Sequence, residues 1–182
     1  MIRGFNGKMP VIAESAFISE TAYVIGDVTI GENSSVWPGA VIRGDFGRVV
    51  IGNQTAVEDN AVLHAGSPSQ ADQSLIIGDS SHIGHGAVIN CSRIGNHVLV
   101  GMNATLLHDA IIGDYAIIAA AALVKQGMQI PGKSFVAGVP ARIMGEATAE
   151  QLWWVEQAPL EYLKLLQIYK REFDGSHDQG AG

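Results

Sequence analysis

The 182-residue sequence has little cysteine, little charge and no long apolar run. Cys91 is the only cysteine, which excludes an intramolecular disulfide and suits a reducing compartment. Charged residues make up 16% of the chain, against about 25% in an average protein. The net charge is −7 and no basic run occurs, so neither nucleic acid nor an anionic membrane surface is an expected partner. The longest apolar run, residues 115–124, is too short to span a bilayer, and residues 1–12 lack the apolar core of a secretory signal. We therefore expect a cytoplasmic protein.

Glycine, in contrast, is abundant, and an aliphatic residue recurs at every sixth position. The chain contains 22 glycines, a density that disfavours helices. The repeated aliphatic positions are Ile12, Ile18, Val24, Ile30, Val36, Ile42, Ile51, Val57, Leu63, Ile77, Ile83, Ile89, Ile94, Val100, Leu106, Ile112, Ile118 and Val124. A period of six fits neither an amphipathic helix nor a simple meander, whereas hexapeptide repeats are typical of parallel β-helices. These 18 hexads predict about six three-sided coils with the aliphatic residues inside, and Ile130 and Val136 allow a further turn.

The residue after the aliphatic position is often glycine. We expect these glycines to provide the unusual backbone angles of the turns between faces. They are Gly31, Gly52, Gly78, Gly84, Gly95, Gly101 and Gly113.

The end of the chain has a different pattern, which predicts a helix. Thr148 is a candidate N-cap, the apolar spacing then becomes helical and continues to Phe173, and Pro159 is expected to kink or restart the helix. The predicted organisation is a β-helix domain at residues 1–145, a C-terminal helix packed on it at 146–174, and a disordered tail at 175–182.

The repeat register brings together two polar side chains that are far apart in sequence. His64 follows Leu63 and Asn90 follows Ile89, so both occupy the same position in their hexads. Once the polar loop between them is subtracted, their separation equals one coil, and we expect them to stack on one face. His85 points outward on a different face, where it would meet His64 of another subunit in a trimer. Motifs for zincins, P-loops, α/β-hydrolases and CxxC thiol chemistry are absent.

Four motifs in this register resemble the γ-class carbonic anhydrases. They are Arg43-Gly44-Asp45, Val57-Glu58-Asp59-Asn60, Leu63-His64 and Ile83-Gly84-His85-Gly86. The resemblance covers nearly the whole chain. It implies an all-β fold, a left-handed parallel β-helix with a C-terminal α-helix, and a homotrimer with a metal site between each pair of subunits.

The resemblance also implies which residues hold the metal. His64 matches the first ligand and His85 the ligand that the neighbouring subunit donates. The third ligand of the family is a histidine, and here that position is Asn90. A neutral amide oxygen is a weak zinc ligand beside imidazole. Zn²⁺ is the implied metal, with Fe²⁺ or Co²⁺ as alternatives, and His82 is a candidate replacement ligand.

The remaining catalytic residues are carried over in the same way. Glu58 occupies the position of a family glutamine beside the metal site, and Arg43 and Asp45 match a pair that ties subunits together there. Tyr162 resembles the tyrosine that reaches the metal pocket from the C-terminal helix. Glu58 has three candidate roles: it orients the nucleophile, accepts a proton, or becomes a ligand itself.

The function implied is the reversible hydration of carbon dioxide to bicarbonate. One alternative is a hexapeptide-repeat acyltransferase that uses acetyl-CoA, because such enzymes share the coil and place a histidine at a subunit cleft. Another is a non-catalytic trimeric module, because Asn90 departs from the ligand set. We interpret His97 and His108 as ordinary surface residues.

Overall fold

The chain, described for residues 1–66 and 73–173 in a computed structural model, winds into a parallel solenoid of about seven turns. Most strands contain two or three residues, and they pair in parallel with strands of the neighbouring turns. The predicted parallel β-helix of hexapeptide repeats with one C-terminal helix is confirmed. It has about one turn more than 18 hexads require, because Ile130 and Val136 also lie in paired strands.

Three faces run along the solenoid. The first face contains β1 (Ile2–Arg3), the first halves of β4 (Tyr23–Ile30) and β6 (Val41–Ile51), β8 (Val62–His64), β11 (Val88–Ile89), β14 (Thr105–Leu106) and β17 (Leu123–Val124). The second face contains β2 (Val11–Ile12), the second halves of β4 and β6, β9 (Leu75–Ile77), β12 (Arg93–Ile94), β15 (Ile111–Ile112) and β18 (Gln129–Ile130). The third face contains β3 (Phe17–Ile18), β5 (Ser35–Val36), β7 (Ala56–Val57), β10 (His82–Ile83), β13 (Leu99–Val100), β16 (Ile117–Ile118) and β19 (Ser134–Ala137), followed by the antiparallel β20 (Arg142–Glu146).

The repeated aliphatic side chains form the core, as the period predicts. From Val24 to Val124 none of them is more than 1% exposed. Ile12 and Ile18 are only partly buried, because they belong to the first coils, where the stack ends. Stacked aliphatic side chains therefore fix the register of every later turn.

The structural reason for the glycines after the aliphatic positions differs from the predicted one. Left-handed backbone angles occur two residues later, for example at Asn33 and Asn103, both with φ of 56°. A Cβ on Gly84 would lie 2.7 Å from the carbonyl oxygen of Val100 on the next turn. The prediction of unusual angles at these glycines is wrong: glycine is required there because successive turns approach too closely for a side chain.

The C-terminal helix α1 (Ala149–Phe173) begins at the predicted cap and packs on the third face. The Thr148 hydroxyl accepts the backbone N–H of Gln151 at 3.2 Å, and the Gln151 side chain accepts the N–H of Thr148 at 2.9 Å. The helix continues through Pro159, which is buried, so the expected restart does not occur. It is not long and apolar enough to cross a membrane. The predicted tail at 175–182 lies outside the described residues.

Candidate metal centre

The first face carries His64 and Asn90 in the predicted stack. Leu63 on β8 pairs with Ile89 on β11, so the two following side chains lie one above the other. Asn90 Nδ2 is 3.4 Å from His64 Nδ1. The register expected across the polar loop is confirmed.

Arg43 and Asp45 lie beside His64 on this face. Arg43 pairs in register with His64 on the neighbouring strand. Arg43 Nη1 lies 2.7 Å from Asp45 Oδ2, and His64 Nε2 lies 3.2 Å from Asp45 Oδ1. The Asp45 carboxylate therefore holds the guanidinium with one oxygen and the imidazole ring with the other.

The charges and burial around His64 and Asp45 keep His64 neutral and Asp45 ionised at neutral pH. Burial and the positive charge of Arg43 lower the pKa of His64, and they outweigh the opposing effect of Asp45. Burial acts to raise the pKa of Asp45, but the hydrogen bond and charge of Arg43 contribute most to lowering it. A neutral imidazole is the form that binds metal ions.

The third face carries a second polar group around Glu58, whose side chain is almost completely buried. His82 Nε2 lies 3.0 Å from Glu58 Oε1, and His85 Nε2 lies 3.2 Å from Glu58 Oε2. The backbone N–H of His85 donates to Oε2 at 2.8 Å. Asp59 Oδ2 lies 2.9 Å from the other ring nitrogen of His85. Both ring nitrogens of His85 thus face carboxylates.

Helix α1 contributes Tyr162 to this group. Its hydroxyl donates a hydrogen bond to Glu58 Oε1, and its ring packs edge-on against the ring of His82, 4.6 Å between centroids. Burial acts to raise the pKa of Glu58, but the hydrogen bond and charge of His82, with those of His85, lower it. Glu58 is therefore ionised at neutral pH.

Sequence reasoning gave His82 less weight than the structure does. His82 pairs in register with Ala56 and lies on the turn that follows it. Ala56 and His82 are 26 residues apart, the same separation as His64 and Asn90. This spacing was the sequence signal that places His82 over Ala56. Nothing in the sequence pattern indicated that His82 turns toward Glu58.

The other candidates lie outside these two groups. His97 stacks on Tyr115, 4.7 Å between ring centroids. Cys91 is buried, and burial raises the pKa of its thiol to about 12, so it is not a ready ligand. The charge of His108 contributes to lowering the pKa of His64.

The two groups lie on different faces of one chain. The first-face group is Arg43, Asp45, His64 and Asn90, and the third-face group is Glu58, Asp59, His82, His85 and Tyr162. Within residues 1–66 and 73–173, no set of three His, Cys, Asp or Glu side chains is arranged to hold a metal ion. In the described chain His64 and His85 do not share one site.

A parallel solenoid with an aliphatic residue at every sixth position defines the class of hexapeptide-repeat β-helix proteins. Residues 9–44 and 91–126 match the family model of the bacterial transferase hexapeptide (six repeats). The chain is 36% identical over 174 residues to γ carbonic anhydrase 2, mitochondrial, of Arabidopsis thaliana. This alignment covers 94% of the chain and 63% of that protein. It is 34% identical over 162 residues to the carnitine operon protein CaiE of Escherichia coli K12. This alignment covers 89% of the chain and 81% of CaiE.

A solved structure also resembles this chain in both fold and sequence. A Bacillus cereus protein with a provisional acetyltransferase description superposes with a TM-score of 0.89 at 38% identity, over 94% of this chain and 97% of that one. The chain therefore belongs to the hexapeptide-repeat family that includes these γ carbonic anhydrases and CaiE. It spans less than two thirds of the length of γ carbonic anhydrases 2 and 1 of Arabidopsis thaliana, 63% and 61% respectively.

Proposed function

We propose that the protein is a γ-type carbonic anhydrase that hydrates carbon dioxide reversibly to bicarbonate at a metal site between subunits of a homotrimer. The observation that supports this most is the division of the polar groups between two faces of one chain. A threefold arrangement would bring the first face of one subunit against the third face of the next. Each interface would then combine His64 of one subunit with His85 of the partner subunit.

The residues fit a divalent metal ion. The lowered pKa of His64 leaves its imidazole neutral at pH 7, and Glu58 supplies a buried negative charge beside His85. Imidazole nitrogen and carboxylate oxygen are usual zinc donors, and Fe²⁺ or Co²⁺ would suit them as well. When bound, a zinc ion supplies the Lewis acidity that makes water a nucleophile near neutral pH.

The chain's own side chains would position the reactants. The contact of Asp45 with His64 Nε2 would orient the ring, and a metal ion bound at Nε2 would replace this contact. Tyr162 and His82 hold the Glu58 carboxylate from one side. Because Glu58 is held in its ionised form, it is a weak proton acceptor, and we assign it a binding role rather than that of general base.

Metal content and catalysis of the full chain test this proposal. We expect about one zinc, iron or cobalt ion per subunit and measurable CO₂ hydration in a stopped-flow pH-indicator assay. His64→Ala should lose both, whereas His97→Ala, at a histidine that stacks on Tyr115, should keep both. Metal-free wild-type protein without hydration activity after incubation with each metal would overturn the proposal.

Acyl transfer from acetyl-CoA is the second candidate, favoured by the description of the Bacillus cereus relative. In that reaction His64 or His85 would act at the subunit cleft as a general base. A rise in melting temperature with CoA and none with zinc would support acyl transfer over CO₂ hydration. No response to either ligand would leave the non-catalytic trimeric module as the function.

A further inference from the structure

We infer that the Glu58 carboxylate, and not Asn90, is the third protein ligand of the metal. The site would then consist of His64 from one subunit and both His85 and Glu58 from the partner subunit. This inference rests on the proposed function. It replaces the three-imidazole set that the family resemblance implies with two imidazoles and a carboxylate, a donor set that catalytic zinc sites also use.

The spacing of the two donors on the third face supports this assignment. Glu58 Oε2 and His85 Nε2 are 3.2 Å apart. Two donors each about 2.0–2.1 Å from a tetrahedral ion are separated by roughly 3.3 Å. The separation of Glu58 Oε2 and His85 Nε2 is therefore compatible with both atoms contacting a single ion.

The Glu58 carboxylate is also held in place for this role. Oε1 accepts hydrogen bonds from His82 Nε2 and the Tyr162 hydroxyl. Oε2 accepts the backbone N–H of His85 and keeps a second lone pair, and His85 Nε2 lies 3.2 Å from it. Asp59 lies against the other ring nitrogen of His85, as outer carboxylates do behind ligating histidines.

Asn90 is placed to orient His64 instead. Its Nδ2 lies 3.4 Å from His64 Nδ1, and its Oδ1 is buried without a hydrogen-bond partner among the described residues. Turning the amide over exchanges the two atoms, so that Oδ1 can accept the proton of Nδ1 and the amide nitrogen takes the buried position of the oxygen. A metal ion on His64 Nε2 would need this arrangement, with the proton on Nδ1, and it would replace the contact between Nε2 and Asp45 Oδ1.

Substitution at the two rival positions tests the assignment by zinc affinity. Glu58→Gln keeps the shape of the side chain and removes its charge. It should weaken zinc binding by more than about 100-fold, because loss of an outer partner alone costs about 10–100-fold. Asn90→Ala, the matched control, should stay below that loss. Zinc dissociation constants are measured against a competing chelator, with sedimentation and melting curves to confirm that each variant folds and assembles.

A double variant gives the sharpest result. Glu58→Gln combined with Asn90→His restores three protein donors in another arrangement, so zinc binding should recover and the visible spectrum of the Co²⁺-loaded protein should differ from wild type. Two results would overturn the inference and leave the proposed function standing. One is a Glu58→Gln variant whose zinc dissociation constant stays within about 100-fold of wild type. The other is an Asn90→Ala variant that loses more zinc affinity than Glu58→Gln. Wild-type protein that binds no metal would overturn both.

Discussion

His64 shows how single contacts set the chemistry of one side chain. Burial and the guanidinium of Arg43 disfavour its protonated form, while Asp45 favours it, and the balance lowers the pKa below 6.5. Since a metal ion competes with protons for the same nitrogen, a lowered pKa keeps His64 available at neutral pH. The same shift makes folding dependent on pH.

We expect wild-type stability to fall as the pH drops below 6.5, and His64→Gln to reduce that fall. The unfolded chain takes up a proton at His64 near its ordinary pKa of 6.5, whereas the folded chain does so only at lower pH. The stability that His64 contributes is therefore complete above 6.5 and is lost as the pH falls toward the folded pKa. Urea unfolding of metal-free protein at several pH values between 7.5 and 5 measures the effect. Identical pH dependence in wild type and His64→Gln would contradict it.

At the scale of elements, close backbone contacts between coils limit the turns, whereas side-chain contacts hold the helix in place. Successive turns lie so close that Gly84 has no space for a Cβ, because Val100 of the next turn would be 2.7 Å away. Helix α1 is held by aromatic packing of Tyr169 on Trp37, 4.9 Å between ring centroids, and by the Tyr162 hydrogen bond to Glu58. The helix thus connects the C-terminal part of the chain to a carboxylate on the third face.

Tyr162→Phe should destabilise the protein by about 1.5–3 kcal/mol, because it removes a hydrogen bond to a buried charged group. The ring remains, so its contacts with Trp37 and His82 persist. Chemical denaturation measures the loss. Tyr169→Phe is the matched control, since it removes a hydroxyl from the same helix outside the Glu58 cluster. Equal losses in the two variants would show that the bond to Glu58 has no special weight.

At the scale of the whole molecule, the separation of the two polar groups makes assembly part of the proposed site. His64 belongs to the first face and His85 to the third, so one chain presents two half-sites. If these halves meet between subunits, a defect in one half can be complemented by a neighbour with a defect in the other.

Mixed trimers of His64→Ala and His85→Ala chains should therefore regain metal. Each variant alone has no complete interface. With random mixing of equal amounts, about one interface in four combines an intact His64 with an intact His85. We expect about a quarter of the wild-type zinc content after co-refolding or co-expression, measured per subunit in purified trimers. Mixed trimers as metal-free as the separate variants would place the site within one chain.

The sequence by itself determined the solenoid, its core and the stacking of His64 on Asn90. A period of six repeats the same backbone geometry in every turn, so residues at equal positions in successive hexads must lie above one another. This made the aliphatic core and the histidine–asparagine pair predictable from spacing alone.

Only the tertiary structure decided the surroundings of Glu58 and the reason for the turn glycines. Glu58 is held by His82 from the following turn and by Tyr162, 104 residues away on α1. The turn glycines depend on the distance between adjacent coils rather than on local backbone angles. A repeat fixes which residues are neighbours, but the orientation of side chains and the docking of a distant helix depend on packing between elements, which no spacing in the sequence encodes.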